Sequence, residues 1–597
     1  MKKTIVLLTL LPLAFLPFST PALDWEHYNH NPNFKPAILP NGAVANMDAV
    51  QKGANIMRTT DELKAVKIID NVWFFHGEFY APVVIETDEG LLVFSTGEHA
   101  EDGTNFRKAI REQISNKPVI GVFYDHAHYP KGTRTLLDGD EAIIVAHPDS
   151  NTILSATGAG LSDPNIGEMG PSLDARAAIH FGAFAPKDGP DAMATPLALA
   201  FGHENAWMPA TKTLEHGESM TIAGLEIQAF HANTDSADSL TFWIPELKLV
   251  IDNVVWPAVN TYTLRGDSYR PPEFWMDSLR QIRDLYPEIV LNVGAGAKEL
   301  VGKENIQKTV TSLGDSMAFI YDQSIRLTNM GVHPAELKHY IKMPDSLLAS
   351  DYVNEVYGQW DTFPQAFPTW NAGWFSGYAE DIHALPKPVY SAKFVELAGG
   401  DKQVMTKFKQ AFADGKYLWA KELATNLYYA DPSNKEKRQA LADTFRKLGQ
   451  YSAGSIVRNF YLAGAISLEG NNDVTLGGVQ TEDWVKADTM RAVNYLRTRI
   501  NPEKSIGVDG VLVFNIDGNV SALSIRNSIA EFIADADKLK NADATISISA
   551  DIFAKYYRGE VDADALITEG NTDALALISV FDTYRHVPMY PSSFNIK

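Results

Sequence analysis

No cysteine occurs anywhere in the 597 residues, which excludes a disulfide framework, thiolate metal ligands, a cysteine nucleophile and N-terminal lipidation together. Positive charge is also scarce. Lys and Arg number 52 against 74 Asp and Glu, a formal net charge of −22, so phosphate backbones are repelled and nucleic acid is not an expected partner. A small anionic ligand would need a local cluster of Arg or Lys inside a cleft to overcome that field. Long apolar runs are missing except at the start. There Met1-Lys2-Lys3, the mostly apolar stretch Ile5 to Phe18, and Ser19-Thr20-Pro21-Ala22 form the charged, hydrophobic and small-residue zones of a secretory signal peptide, with cleavage expected near Ala22. Pro12 and Pro17 interrupt a run already short for a bilayer span. The expectation is therefore an exported protein, periplasmic or secreted, with no integral membrane anchor after cleavage.

What is present is ordinary globular composition, 45% hydrophobic and 21% charged, in a chain long enough for about two to four domains. From Val66 to Phe94, short β-rich runs such as Val72-Trp73-Phe74-Phe75 alternate with turn signals such as Asp88-Glu89-Gly90, which predicts hairpins. A helix is predicted around Asn105 to Ser115, followed by a buried strand over Val119 to Tyr124 that ends at Asp125-His126. Strand ends of this kind are where sites gather. Further strands are predicted at Ala142–Ala146, Leu225–Phe230, Leu240–Ile244, Leu249–Ile251 and Ile289–Leu291, and their interleaving with helices argues an α/β layered domain. Beyond about residue 300 the pattern turns to amphipathic helices, among them Gln307–Asn329, Ala335–Ile341, Val404–Ala430 and Lys435–Leu448, with a turn at Asp431-Pro432-Ser433. From about Gly477 it returns to α+β character, with strands at Gly510–Ile516 and Ala544–Ile548 and a helix over Asp551–Arg558.

Several stretches carry a resemblance. Tyr124-Asp125-His126-Ala127-His128-Tyr129-Pro130-Lys131-Gly132 resembles the His-x-His-x-Asp-His loop of the metallo-β-lactamase fold. Ala232 to Glu246, closing at Ile251-Asp252-Asn253, resembles that fold's later metal-ligand strands, and Asn260-Thr261-Tyr262-Thr263-Leu264-Arg265-Gly266 is similar to a signature of its alkyl sulfatase branch. Tyr321 to Gly331 and Arg458 to Ala465 look like that branch's dimerisation domain. The resemblance implies an αββα metallo-β-lactamase-like domain over 23–305, an all-α dimerisation domain over 306–470, and an α+β sterol-carrier-like domain over 471–597 that receives the alkyl chain. It also implies a homodimer.

The family hydrolyses sulfate esters of long-chain alcohols with two zinc ions. Carried over position by position, His126, His128 and Asp235 fall on the ligands of the first zinc and Asp252 on the bridging carboxylate. The second site is depleted: Pro130 and Lys131 stand where an aspartate and a histidine belong, and Val293-Gly294-Ala295-Gly296-Ala297 lacks the expected histidine. Proline offers no side-chain ligand and lysine brings an ammonium, so coordination is lost, not exchanged. One Zn²⁺ per subunit is the resulting expectation, with Lys131 a fixed positive charge near the missing ion and Arg265 a fork for sulfate oxygens. His231 is a possible substitute ligand, against the structural role usual for a lone histidine. Three functions stay open: a sulfuric-ester hydrolase acting on an amphiphile, a non-catalytic homologue that holds an anionic amphiphile, and a metallo-hydrolase of a different ester.

Overall fold

The computed structural model describes residues 35–58, 62–157, 168–194, 204–232, 234–266, 270–470, 481–536, 541–567, 571–583 and 590. The signal-peptide expectation over residues 1–22 lies outside them. Lys64–Ile69, Val72–His76, Val83–Glu86 and Leu91–Phe94 form an antiparallel meander. Leu91–Phe94 then pairs in parallel with Val119–Phe123, and Ile143–Ala146 and Lys212–Thr213 complete a seven-stranded sheet. Side chains along these strands divide by the two-residue period of a pleated strand. Val72, Phe74, Val83, Ile85, Leu92 and Phe94 enter one core, and Phe75, Val84, Leu91 and Val93 enter another. Both faces of the sheet are therefore covered.

The inner core is shared with a second, six-stranded sheet built from Ser219–Ile222, Leu225–His231, Leu240–Ile244, Leu249–Asp252, Ile289–Asn292 and Leu300–Val301. Ile227, Phe242, Ile251 and Leu291 of this sheet pack against the inward residues of the first. Phe94 and Phe123 stack with centroids 4.5 Å apart, and Phe242 meets them edge-on at 5.4 and 5.5 Å. Each such side chain, fully buried, contributes roughly 1.5–3 kcal/mol. Helix Ala100–Gln113 closes the outer face of the first sheet through Phe106, Ala109 and Ile110. Pro272–Leu285 and Lys303–Asn329 close that of the second through Trp275, Leu279, Ile282, Val310 and Leu313. The result is the expected αββα sandwich.

Two departures from the expected helices have a local cause. The helix expected from about Asn105 begins at Ala100, because His99 and Asp102 form a reciprocal cap: His99 Nδ1 accepts from the Asp102 amide at 3.3 Å, and Asp102 Oδ2 accepts from the His99 amide at 3.2 Å. Histidine is outside the usual capping set, so the pattern concealed the start. The single helix expected over Val404–Ala430 is two, Asp401–Ala413 and Tyr417–Ala430. Gly415 adopts φ +73°, and the amides of Gly415 and Lys416 return to the carbonyls of Phe412 and Ala411, a left-handed stop that glycine accommodates. Tyr417–Ala430 and Lys435–Tyr451 then form a hairpin about Asp431-Pro432-Ser433, with Ser455–Leu468 packed on the latter.

Of the aromatic residues in this helical region, Trp360 and Phe367 belong to the core, whereas Trp370, Trp374 and Phe375 are exposed. A four-stranded sheet follows, in which Gly510–Ile516 lies between antiparallel Asn519–Arg526 and parallel Ala544–Ile548, with Ile529–Ile533 at the far edge. Ala550–Tyr557 and Thr572–Ile578 pack on it in a core of its own.

Candidate metal centre and anion cleft

The site forms where the parallel strands end. Val119–Phe123 leads into Asp125-His126-Ala127-His128, and the strand after it in the second sheet, Leu240–Ile244, is tied to this loop by the Leu240 amide donating to the Asp125 carbonyl at 2.6 Å. Buried Asp238 clamps the two loops together: its Oδ1 accepts from the Ala127 amide at 3.2 Å and its Oδ2 from Ser150 Oγ at 2.6 Å. These bonds satisfy backbone groups that the irregular loops leave outside any ladder.

His126, His128 and Asp235 are all buried, and one candidate ligand atom from each lies within 4.8 Å of the others. His128 Nδ1 is 3.0 Å and His126 Nε2 3.9 Å from oxygens of Asp235, and the imidazoles meet edge to face with centroids 4.7 Å apart. Asp125 pairs with His126 Nδ1, which fixes the ring and leaves Nε2 to face the cluster, the arrangement by which a carboxylate orients a metal-binding histidine. That Nε2 is buried without a hydrogen-bond partner among the described residues. A buried, unpartnered imidazole nitrogen beside a carboxylate and a second imidazole fits a divalent cation.

Asp235 is itself held: Oδ1 accepts from Asn253 Nδ2 at 2.8 Å and Thr234 Oγ1 at 3.1 Å. Burial works against its charge, but His128 and His126, and more weakly Arg270, keep it ionised well below the usual carboxylate range. Asp252 stands outside this group of three. Its Oδ1 accepts from the amides of Val254 and Val255 and from Asn292 Nδ2 at 2.5, 2.6 and 3.1 Å, which spends that oxygen on the turn. Its Oδ2 is buried without a partner among the described residues, and burial raises the carboxyl to about 6.

Among the described residues no second group of three ligands gathers beside the first. Pro130 bridges to Gly97, and Lys131 is buried, its amide donating to the Gly97 carbonyl at 3.1 Å. Burial lowers its affinity for a proton, Glu98 and Asp102 oppose that, and its charge reaches His128. Gly294 leaves no room for a side chain: a Cβ there would lie 2.1 Å from Asn253 Oδ1 and 3.2 Å from His126 Cε1. Glycine here lets Asn253 reach Asp235.

Arg265 is buried, its guanidinium 5.2 Å from the centroid of the Phe181 ring and its Nη1 3.2 Å from His180 Nε2. Arg270, which the motif reading did not single out, is also buried; its Nη1 donates to the Asn260 carbonyl at 3.3 Å and its charge reaches both Asp235 and His180. The only signal in the sequence was a second arginine five positions after Arg265. His231 lies apart from the cluster, stacked on His147 at 4.5 Å with Nε2 on the Ala237 carbonyl at 2.7 Å. A structural role accounts for it.

A family model described as alkyl sulfatase dimerisation matches residues 333–471. A linear primary-alkylsulfatase of Pseudomonas sp. is 28% identical over 480 residues, 76% of this chain and 88% of that protein. The chain is an alkyl sulfatase homologue. The alkyl/aryl-sulfatase of Saccharomyces cerevisiae is 22% identical over 510 residues, 83% of this chain and 78% of its own. Among solved structures, the stereoselective inverting sec-alkylsulfatase from Pseudomonas sp. superposes with TM-score 0.71 at 20% identity, covering 94% of this chain and 93% of that one. The homologue thus shares that fold, and His126, His128 and Asp235 form a group that could hold a metal ion.

The charges predict how the metal-free protein responds to pH. Burial alone would lower His126, but Asp125 and Asp235 outweigh it and raise it from 6.5 to about 9. The folded chain therefore keeps a proton that the unfolded chain releases, and the stability this provides is full below about pH 6.5 and is lost as pH rises toward 9, by roughly 1.4 kcal/mol per unit at most. His180 acts in the opposite sense: burial, then Arg265 and Arg270, hold it well below 6.5, so acid beneath that value favours the unfolded chain. Thermal melting of metal-free protein is therefore expected to fall as pH rises from about 6.5 toward 9, the His126 contribution being lost over that range. Added metal displaces the His126 proton and is expected to remove the alkaline decline.

Proposed function

We propose that the protein is an exported metallo-hydrolase of sulfate esters of long-chain alcohols, with Zn²⁺ held by His126, His128 and Asp235. One observation carries this reading: the ligand group and two buried arginines share one electrostatic neighbourhood, because Arg270 reaches Asp235 on one side and, with Arg265, His180 on the other. In a chain of net charge −22, two buried guanidiniums beside a metal-ligand cluster suit an anionic head group. When bound, the metal supplies Lewis acidity, making hydroxide available near neutral pH and offsetting charge on sulfate oxygens. The chain's own residues do the rest. Asp125 keeps His126 Nε2 directed at the cluster, and Asn253 and Thr234 keep Asp235 in place. Arg265 and Arg270 bind and orient the sulfate, and the buried walls limit screening of these charges by water. The C-terminal α+β unit, read as sterol-carrier-like, would hold the tail. Relatives named alkylsulfatases over most of their length support the hydrolase over a binding-only homologue. The test is sulfate release from dodecyl sulfate by the mature protein, with and without chelator. Chelator-sensitive release is expected, and none under any metal loading would end this reading.

The same proposal includes a homodimer. Within the segment matching the dimerisation model, Trp374 and Leu397 are 74% and 89% exposed, and Trp370, Ile382, Leu385 and Tyr390 are exposed as well. Aromatic and aliphatic side chains exposed in that segment suit burial against a second copy of the chain. Light scattering at micromolar concentration is expected to give twice the subunit mass, and Trp374→Asp with Leu397→Asp to shift it toward the monomer. A wild-type monomer would refute the dimer.

A further inference from the structure

The surroundings of Arg265 draw on two distant parts of the chain. His180 ends the helix Gly170–His180, and its Nε2 lies 3.2 Å from Arg265 Nη1 and 2.7 Å from Tyr357 Oη. The Tyr357 ring stands edge-on to His180 at 5.3 Å. Tyr357 comes from the segment matching the dimerisation model, where its carbonyl accepts from the Ile456 amide at 3.3 Å; Asn459 Nδ2 in turn donates to the His180 carbonyl at 2.8 Å. His180 is 2% exposed, and its Nδ1 has no hydrogen-bond partner among the described residues.

Chemistry fixes the state of this imidazole. A guanidinium has donors only, so Nε2 offers its lone pair to Arg265, the Tyr357 hydroxyl donates to the same lone pair, and the ring proton sits on Nδ1. The imidazole paired with Arg265 is neutral. An aspartate or glutamate at this position would orient the guanidinium equally well, but a buried carboxylate would also cancel charge that an incoming anion needs. A neutral acceptor orients without that cost. The face of the adjacent Phe181, 5.2 Å from the guanidinium carbon, adds a second constraint of the same kind, since an aromatic ring packs against a cation without neutralising it.

We propose that His180 is a positioning residue for the anion site: through Nε2, and backed by Tyr357 from the helical region, it sets the orientation of the Arg265 fork while adding no negative charge beside it. The inference rests on the reading of this cleft as a sulfate-ester site. It gives the helical region a part in head-group recognition, through Tyr357, and it assigns His180 no proton-transfer step.

The test compares His180→Gln, whose amide oxygen is a neutral acceptor, with His180→Glu and His180→Ala, all in the mature full chain with thermal melting to establish folding. Inorganic sulfate binding is measured by calorimetry, and KM and kcat for dodecyl sulfate by sulfate release. His180→Gln is expected to stay close to wild type in sulfate affinity. His180→Glu and His180→Ala are expected to weaken it roughly 10- to 100-fold, the range for a hydrogen bond to a charged group, with the kinetic loss in KM more than in kcat. His180→Glu binding sulfate as tightly as wild type, or His180→Gln binding as weakly as His180→Ala, would overturn the inference; should the glutamate variant not fold, the glutamine and alanine pair decides it. Wild-type protein that binds sulfate but releases none from dodecyl sulfate would end the hydrolase reading and leave this one standing on the binding series. Wild-type protein that binds no sulfate would overturn it regardless of turnover.

Discussion

His126→Ala is expected to abolish both metal binding and sulfate release. Its Nε2 is the buried, unpartnered nitrogen of the ligand group, and Asp125 already fixes the opposite nitrogen. Loss of a residue that merely orients a ligand typically costs roughly 10- to 100-fold in affinity or activity, so loss of a ligand from a group of three should exceed roughly 100-fold. The fold should survive, because His126 lies in a loop whose backbone is held by Asp238 and by the bond from Leu240 to Asp125. Elemental analysis and sulfate release on the purified variant check this, with circular dichroism as the control for folding. A variant that retains metal and turnover would remove His126 from the centre.

Arg265→Ala carries the second large effect. The substitution removes a bidentate clamp from a buried position, where charge is screened little by salt or water, and KM for dodecyl sulfate is expected to rise roughly 10- to 100-fold. Lys131→Ala is expected to cost less in head-group affinity and more in stability. Lys131 faces Glu98 and Asp102 as well as His128, so its removal takes a compensating cation from a half-buried and a buried acid. Calorimetry with dodecyl sulfate and thermal melting on both variants separate the two effects. If both match wild type in affinity and turnover, the cleft does not hold sulfate.

The layered domain was legible because helices repeat near every third or fourth residue, and because strands covered on both faces read as short continuous apolar runs bounded by turn signals, such as Leu91–Phe94 and Leu249–Asp252. His126, His128 and Asp235 came into view through the resemblance, and the fold brings them together at the ends of those strands. Arg270, Asn253, His180 and Tyr357 were not legible. They act through tertiary proximity: His180 and Tyr357 are separated by 177 positions yet are 2.7 Å apart, and nothing local to either announces the other. Asn253 looked like the tail of a ligand motif, whereas its role depends on the space left by Gly294 in another strand's loop. The break at Gly415 did have a local signal, the dipeptide Asp414-Gly415, which the apolar periodicity on either side outweighed.

The proposed hydrolase works with one metal per chain, because among the described residues only His126, His128 and Asp235 gather as a ligand group, and Pro130 and Gly294 bring no side-chain ligand for a second ion. Titrating metal-free protein with Zn²⁺ while recording sulfate release from dodecyl sulfate tests both parts at once. Activity is expected to rise linearly and break at one equivalent per chain, with no further gain beyond it. A break at two equivalents, or no activity at any loading, would contradict the account.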